Sequence, residues 1–175
     1  EVINDSEKAG VLSLTIKGGV WKISAPILLP SFFYLKLDNC VIEATGKLAI
    51  TNSFSQTTYG RASDFNQRGI TVVGQGTSEI QGSVLFSNAD NCKIENLVLT
   101  NVSEGYAVKT VSTHTTRVKD LIINNCDNGI IMSSGSREGI YTNISGQVDN
   151  TFITITDAED LEKVCFPRTF EETMN

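Results

Sequence analysis

The sequence predicts an all-β fold, a single-chain parallel β-helix of about six or seven coils, on three observations. The first is an internal repeat. NCKIENLVLTNVSEGYAVKT from Asn91 and TTRVKDLIINNCDNGIIMSS from Thr115 superimpose at an offset of 24 residues. Ile94 then meets Val118, Leu97 meets Leu121, Val98 meets Ile122, Leu99 meets Ile123 and Asn101 meets Asn125. Gly105 meets Gly129, and Tyr106, Ala107 and Val108 meet Ile130, Ile131 and Met132. EGIYTNISGQVDNTFITI from Glu138 continues at an offset of 22, setting Ile140 on Val118, Ile144 on Ile122, Asp149 on Asp127, Asn150 on Asn128 and Phe152 on Ile130.

The second observation is that each repeat holds two short β-like runs, such as Cys92–Leu99 and Tyr106–Val108, and none with the length and period of a helix. A period in the low twenties signals stacked supersecondary units. A strand-only unit of that length reads as one coil whose backbone pairs with the coils above and below. The third is composition: 14 Gly, with many Asn, Asp, Ser and Thr, suit a tight turn every few residues. At 175 residues the chain is expected to be one domain, read as part of a longer β-helix.

In order, residues 1–10 are polar and read as the remnant of an N-terminal cap, which a β-helix needs over its first unpaired edge. Coils are expected over 11–156. Val11–Ile16 alternates as a strand, Gly18-Gly19 turns the chain, and Val20–Ile23 and Ala25–Leu29 are the next strands, closed by Pro30-Ser31. Phe33–Leu37 and Cys40–Glu43 follow, with Asp38-Asn39 as their corner. Residues 52–68, NSFSQTTYGRASDFNQR, interrupt the repeat as a polar excursion, and long loops on rigid scaffolds are often functional. Gly135-Ser136-Arg137 turns between coils. Thr156-Asp-Ala-Glu forms a capping box, so 157–175 is expected to hold a short helix over Asp157–Val164 and a tail beyond Pro167.

The opening coils resemble a known superfamily. GGVWKISAPILLPS followed by YLKLDNCVIEA is similar to the first coils of pectate-lyase-like and polygalacturonase-like right-handed β-helix proteins. ITVVGQGTSEIQG (Ile70–Gly82) resembles their Ile-x-Ile-x-Gly-x-Gly-x-Ile-x-Gly segment, and ADNCKIENLVLTN (Ala89–Asn101) their Asn-Val-x-Ile-x-Asn-Leu coil. The resemblance covers roughly Val11 to Asp157. It implies a right-handed helix and engagement of polysaccharide, in an extracellular or virion-associated protein such as a secreted bacterial enzyme or a phage tail component. A homotrimer is the expected assembly if it is tailspike-like.

Several function classes are disfavoured. A net charge of −6 argues against nucleic acid, which demands clustered Lys and Arg. No apolar run reaches the length of a membrane-spanning helix. Cys40, Cys92, Cys126 and Cys165 lie far apart with no CxxC, which disfavours zinc and redox motifs; Cys92 and Cys126 read as buried free thiols. There is no phosphate loop, no Gly-x-Ser-x-Gly elbow and no acidic cluster for calcium, so neither a cofactor nor a metal is expected and a calcium-dependent lyase is disfavoured.

The repeat builds columns. One holds Ser103, Asp127 and Asp149; its neighbour holds Glu104, Asn128 and Asn150. Strands on neighbouring coils lie about 4.8 Å apart. Asp127 and Asp149 would therefore be adjacent carboxylates, one with a raised pKa, as an acid/base or nucleophile/acid pair for glycoside hydrolysis requires. Two facts weigh against that. VDNTFITI (Val148–Ile155) lies where polygalacturonase-like hydrolases carry an Asp-Asp pair, and its second member is Asn150, which can be neither acid nor base. Asp and Asn also favour corners for their backbone hydrogen bonds alone, and Asn101 and Asn125 read as rungs of such a ladder.

Substrate contacts are expected from Tyr59, Arg61 and Asp64 in the excursion, with Phe65 and Arg68, and from Arg137 and His114. His114 is the one histidine. Trp21 reads as core or cap and not as a sugar platform. Two functions follow: a glycoside hydrolase-like module acting through Asp127 and Asp149, or a non-catalytic β-helix that binds glycans without cleaving them.

Overall fold

The computed structural model describes residues 12–52 and 67–156. They form a parallel β-solenoid of about six coils. Coil 1 carries β1 (Ser13–Lys17), β2 (Val20–Ile23) and β3 (Ile27–Leu29). Coil 2 carries β4 (Tyr34–Asp38) and the long β5 (Val41–Asn52). Coil 3 carries β6 (Gln67–Arg68), β7 (Thr71–Gln75) and β8 (Glu79–Ser87). Coil 4 is β9 (Ala89–Asp90) and β10 (Lys93–Val111), coil 5 is β11 (Arg117–Ser133), and coil 6 is β12 (Ile140–Val148) and β13 (Ile153–Thr156). The helix expected over Asp157–Val164 lies outside the described residues, as does the N-terminal cap.

Three faces result, because the long strands bend at corners and pair with a different neighbour on each face. β1, β4, β7 and the first segments of β10, β11 and β12 stack as the first face. β2 and the next segments of β5, β8, β10, β11 and β12 make the second. β3 and the last segments of β5, β8, β10 and β11 make the third, with β13 on coil 6. Side chains alternate in and out along each strand, so each face sends apolar side chains inward in stacks. The stacks are Leu14–Leu35–Val72–Ile94–Val118–Tyr141, Trp21–Ile42–Ile80–Leu99–Ile123 and Ile27–Ile50–Val84–Val108–Ile130–Ile153. From coil 2 to coil 5 every member is buried. Trp21 belongs to this inward set, lying over Ile42. It is 49% exposed because it is on the first coil, and its indole N–H is held by the Gly18 carbonyl at 2.7 Å.

The repeat is correct in kind and wrong in register at two places. Coil 4 matches coil 5 at 24 residues only as far as Val102; from Tyr106 onward the offset is 22, so Val108 and not Tyr106 lies over Ile130. Three residues, Ser103–Gly105, span a corner on coil 4 that Asp127 alone spans on coil 5. Coil 6 begins at an offset of 23, which puts Tyr141 on Val118 and Ile144 on Leu121. A one-residue slip exchanges the inside and outside of a strand. Ile140 is accordingly exposed at 36% while Tyr141 is buried at 1%. The register is 22 only from Val148 to Asn150, since Gln147 still pairs with Asn124 at 23; Phe152 then falls level with Gly129, again at 23, leaving Ile130 to Ile153.

Cys40, Cys92 and Cys126 are free and buried, as the strand pattern implies; Cys165 lies outside the described residues. Burial pushes the Cys92 thiol up to about 12. Burial likewise pushes the Tyr141 hydroxyl up to about 12, against the opposing pull of its 2.9 Å hydrogen bond with the Thr110 hydroxyl. The folded value lies above the ordinary 10.0. The unfolded chain therefore releases this proton first, and the stability involved is complete below about pH 10 and is lost as pH rises towards 12. Tyr141→Phe should raise the midpoint of alkaline unfolding followed by far-UV circular dichroism, with the buried thiols of Cys92, Cys126 and Cys40, also pushed up by burial, adding to the dependence.

Candidate functional site

Asp127 and Asp149 are register neighbours, as the repeat implies. The Asp149 N–H donates to the Cys126 carbonyl and the Asn150 N–H to the Asp127 carbonyl, both at 2.9 Å, as parallel pairing requires. Their side chains nevertheless differ in role. The widened corner of coil 4 turns the Gly105 N–H towards coil 5, and the Asp127 carboxylate accepts it at 2.8 Å. The same oxygen accepts the Asn128 amide at 2.9 Å, and its partner oxygen accepts the Asn150 amide. Asn128 completes the corner by donating to the Gly105 carbonyl at 3.1 Å and accepting the Thr151 N–H at 3.1 Å. Asp127 is thus wired into the three coils that meet at this corner, while Asp149 is exposed to solvent. Asn101 and Asn125 form the expected ladder, the Asn125 amide donating to the Asn101 side-chain oxygen, and both occupy left-handed backbone (φ 59° and 52°).

His114 and Arg137 lie at a different corner, between the third face and the first. Here the backbone makes a fourth, narrow column: Arg68 pairs with Asp90, Asp90 bridges to His114 and His114 to Arg137, all parallel. The His114 N–H donates to the Ala89 carbonyl at 3.0 Å and the Arg137 N–H to the Thr113 carbonyl at 2.9 Å. Beneath them Ser136 is fully buried; its hydroxyl donates to the Ser133 and Thr110 carbonyls and accepts the Thr113 N–H at 3.0 Å. Ser112 donates to the Ser134 carbonyl at 2.7 Å. This network fixes the corner and leaves its outward side chains on a rigid base.

Those side chains are polar. His114 Nδ1 lies 3.2 Å from an Asp90 oxygen and 3.1 Å from the Thr115 hydroxyl, and Nε2 lies 3.0 Å from a Glu138 oxygen. Each ring nitrogen therefore faces a carboxylate from a neighbouring coil. The excursion returns to the described residues at Gln67–Arg68, on the rung above Asp90. The Arg68 carbonyl is fixed there by the Phe32 N–H at 2.7 Å. Tyr59, Arg61, Asp64 and Phe65 lie outside the described residues.

The structure thus brings His114, Arg137 and the end of the excursion to one corner, and keeps Asp127 and Asp149 at another. Sequence reasoning missed Asp90 and Glu138. Their spacing could have revealed them, since they stand 24 residues before and 24 after His114, the same offset that aligns coils 4 and 5.

No family model, no curated protein and no solved structure matches this chain.

Proposed function

We propose that the chain is a glycan-engaging β-solenoid that binds polysaccharide along the Arg68–Asp90–His114–Arg137 corner and does not cleave it at Asp127 and Asp149. The observation that carries the reading is the backbone column that sets Arg68, Asp90, His114 and Arg137 on consecutive rungs, with the Asp90 and Glu138 carboxylates on either side of the His114 imidazole. Rungs about 4.8 Å apart present such groups at a spacing comparable with one sugar residue. Guanidinium and carboxylate groups can bond two neighbouring hydroxyls at once. Exposed ion pairs contribute only about 0–1 kcal/mol each to stability, so stability is a weak reason to stack charges here.

The similarity of the opening coils to pectate-lyase-like and polygalacturonase-like proteins supports a carbohydrate ligand and an extracellular or virion-associated setting. The non-catalytic reading rests on the Asp127 carboxylate, whose oxygens are committed to three donors, and on Asn150 in place of a second acid.

The test is binding and turnover on a panel of acidic and neutral polysaccharides. His114→Ala and Arg137→Ala should each weaken binding about tenfold, the 1.4 kcal/mol of one good polar contact. Asp149→Ala should change nothing, and no reducing ends should appear. Release of reducing ends that stops in Asp149→Ala would instead establish the hydrolase.

A further inference from the structure

The solenoid changes width between coils 3 and 4. On coils 2 and 3 the first-face strands pair over five residues, Tyr34–Asp38 against Thr71–Gln75. On coil 4 only Lys93–Glu95 continues that ladder, matched to Thr71–Val73. The second face resumes at Val98 against Glu79. Gly74–Ser78 on coil 3 therefore spans a corner that coil 4 turns with Asn96 and Leu97 alone. The shorter corner folds in beneath the longer one. A Cβ on Gly74 would lie 1.9 Å from the Asn96 carbonyl oxygen, so only glycine permits this approach. Asn96 takes the left-handed backbone (φ 55°) that so tight a corner requires, stacked with Asp120 and Asn143 on the coils below (φ 53° and 51°).

The step leaves a groove of about 390 Å³. Its overhang is Gly74, Gln75 and Gly76; its floor is Asn96, Leu97 and Val98; its far wall is Asp120 and Ile122. Ser78, behind the overhang, is buried and donates to the Leu37 and Gln75 carbonyls, so the overhang is braced. The Asn143 amide donates to an Asp120 oxygen at 2.6 Å and holds that carboxyl below its usual range, which fixes the wall. Ile122 is 45% exposed, beside the outward-facing Val98 that it pairs with.

We infer that this step is a second carbohydrate site, built for a neutral sugar ring. Val98 and Ile122 supply an apolar strip for the C–H face of a pyranose. The Gln75 and Asn96 amides and the Asp120 carboxylate surround that strip with donors and acceptors for hydroxyls, and a carboxylate has lone pairs to spare beyond its Asn143 bond and its Lys119 neighbour. The lining holds one charged group, Asp120, which faces Lys119 Nζ at 3.4 Å, and no cation lines the groove itself, which favours a neutral ring over uronate, sulfate and phosphate. The volume lies at the small end of ligand pockets and suits one or two rings. The site shares its ligand class with the proposed function but lies at another corner and stands on different residues.

The test is titration of the full chain with cellotriose, mannotriose, chitotriose and trigalacturonate, followed by amide and methyl chemical shifts. At least one neutral trisaccharide should shift Gly74, Gly76, Asn96 and Ile122, and Ile122→Ser and Gln75→Ala should each weaken its binding at least fivefold. Both positions are solvent-exposed, so these variants should fold, which circular dichroism checks. His114→Ala and Arg137→Ala should leave this binding unchanged. The inference fails if no neutral trisaccharide moves the groove resonances at millimolar concentration, or if both groove variants bind like the parent. Loss of neutral-sugar binding in His114→Ala alone would also overturn it while leaving the charged corner standing as the glycan site. Groove binding that persists when neither corner variant affects any glycan would overturn the charged-corner reading and keep this one.

Discussion

Gly146→Ala should destabilise the folded protein by about 3–4 kcal/mol, the largest single effect expected from one added methyl group. Two independent costs coincide. Gly146 has φ +133°, a conformation that L residues adopt at a cost of about 1–3 kcal/mol. Its added Cβ would also lie 1.9 Å from the Ile123 carbonyl oxygen, with the Ile123 carbonyl carbon and nitrogen within 2.8 Å. Over-packing of this kind costs about 1–3 kcal/mol, and backbone atoms yield less readily than a flexible side chain. Gly146 pairs with Ile123 at an offset of 23, two residues before Val148 meets Cys126 at 22, so it lies beside the register change at Asn125. Denaturant unfolding should show a lower midpoint with an unchanged slope. If the variant unfolds at the parent's midpoint, the close approach of Gly146 to Ile123 is not the constraint described.

Asp127→Ala should lower stability by about 2–3 kcal/mol, because hydrogen bonds to charged groups contribute about 1.5–3 kcal/mol and removal leaves the Gly105 N–H and two amides without this acceptor. Asp149→Ala, at an exposed position, should stay within about 0.5 kcal/mol of the parent. Thermal melts of the two variants separate the readings of this pair. A structural corner predicts an unequal effect on stability and none on turnover. A catalytic couple predicts equal loss of turnover with little change in melting temperature. Asp127→Asn should recover part of the loss, because its one remaining carbonyl oxygen can still accept the Gly105 N–H.

Much of the architecture was legible in the chain because a β-solenoid makes sequence period and spatial neighbourhood nearly the same thing. The match of Ile94 to Val118 and of Leu99 to Ile123 follows from hydrophobic spacing alone, since each coil buries the same inward positions. The Asn101–Asn125 ladder follows from the same offset and from the tolerance of Asn for left-handed corners. The candidate sites were less legible. His114 and Arg137 could be named as candidates from the chain, but Asp90 and Glu138 carry no local motif, and only the column shows them within reach of His114. The groove was not legible at all. ITVVGQGTSEIQG signals a Gly-rich strand and turn, and nothing in it announces that the next coil turns three residues sooner.

By itself, then, the sequence determined that this protein is a stack of parallel β-coils with an apolar interior and Asn- and Asp-rich corners, because inward burial repeats at every turn of the chain and leaves its period in the residues. Tertiary structure alone decided where corners gain or lose residues: at Gly74–Ser78 over Asn96–Leu97, at Ser103–Gly105 over Asp127, and at Asn125, which the pairing skips between Gln147 and Val148. The reason is that a corner's length is set by how its backbone hydrogen bonds meet the coil next to it, an interaction between residues some twenty positions apart. Those changes in length decide whether Asp127 serves as a brace and whether the solenoid wall carries a groove.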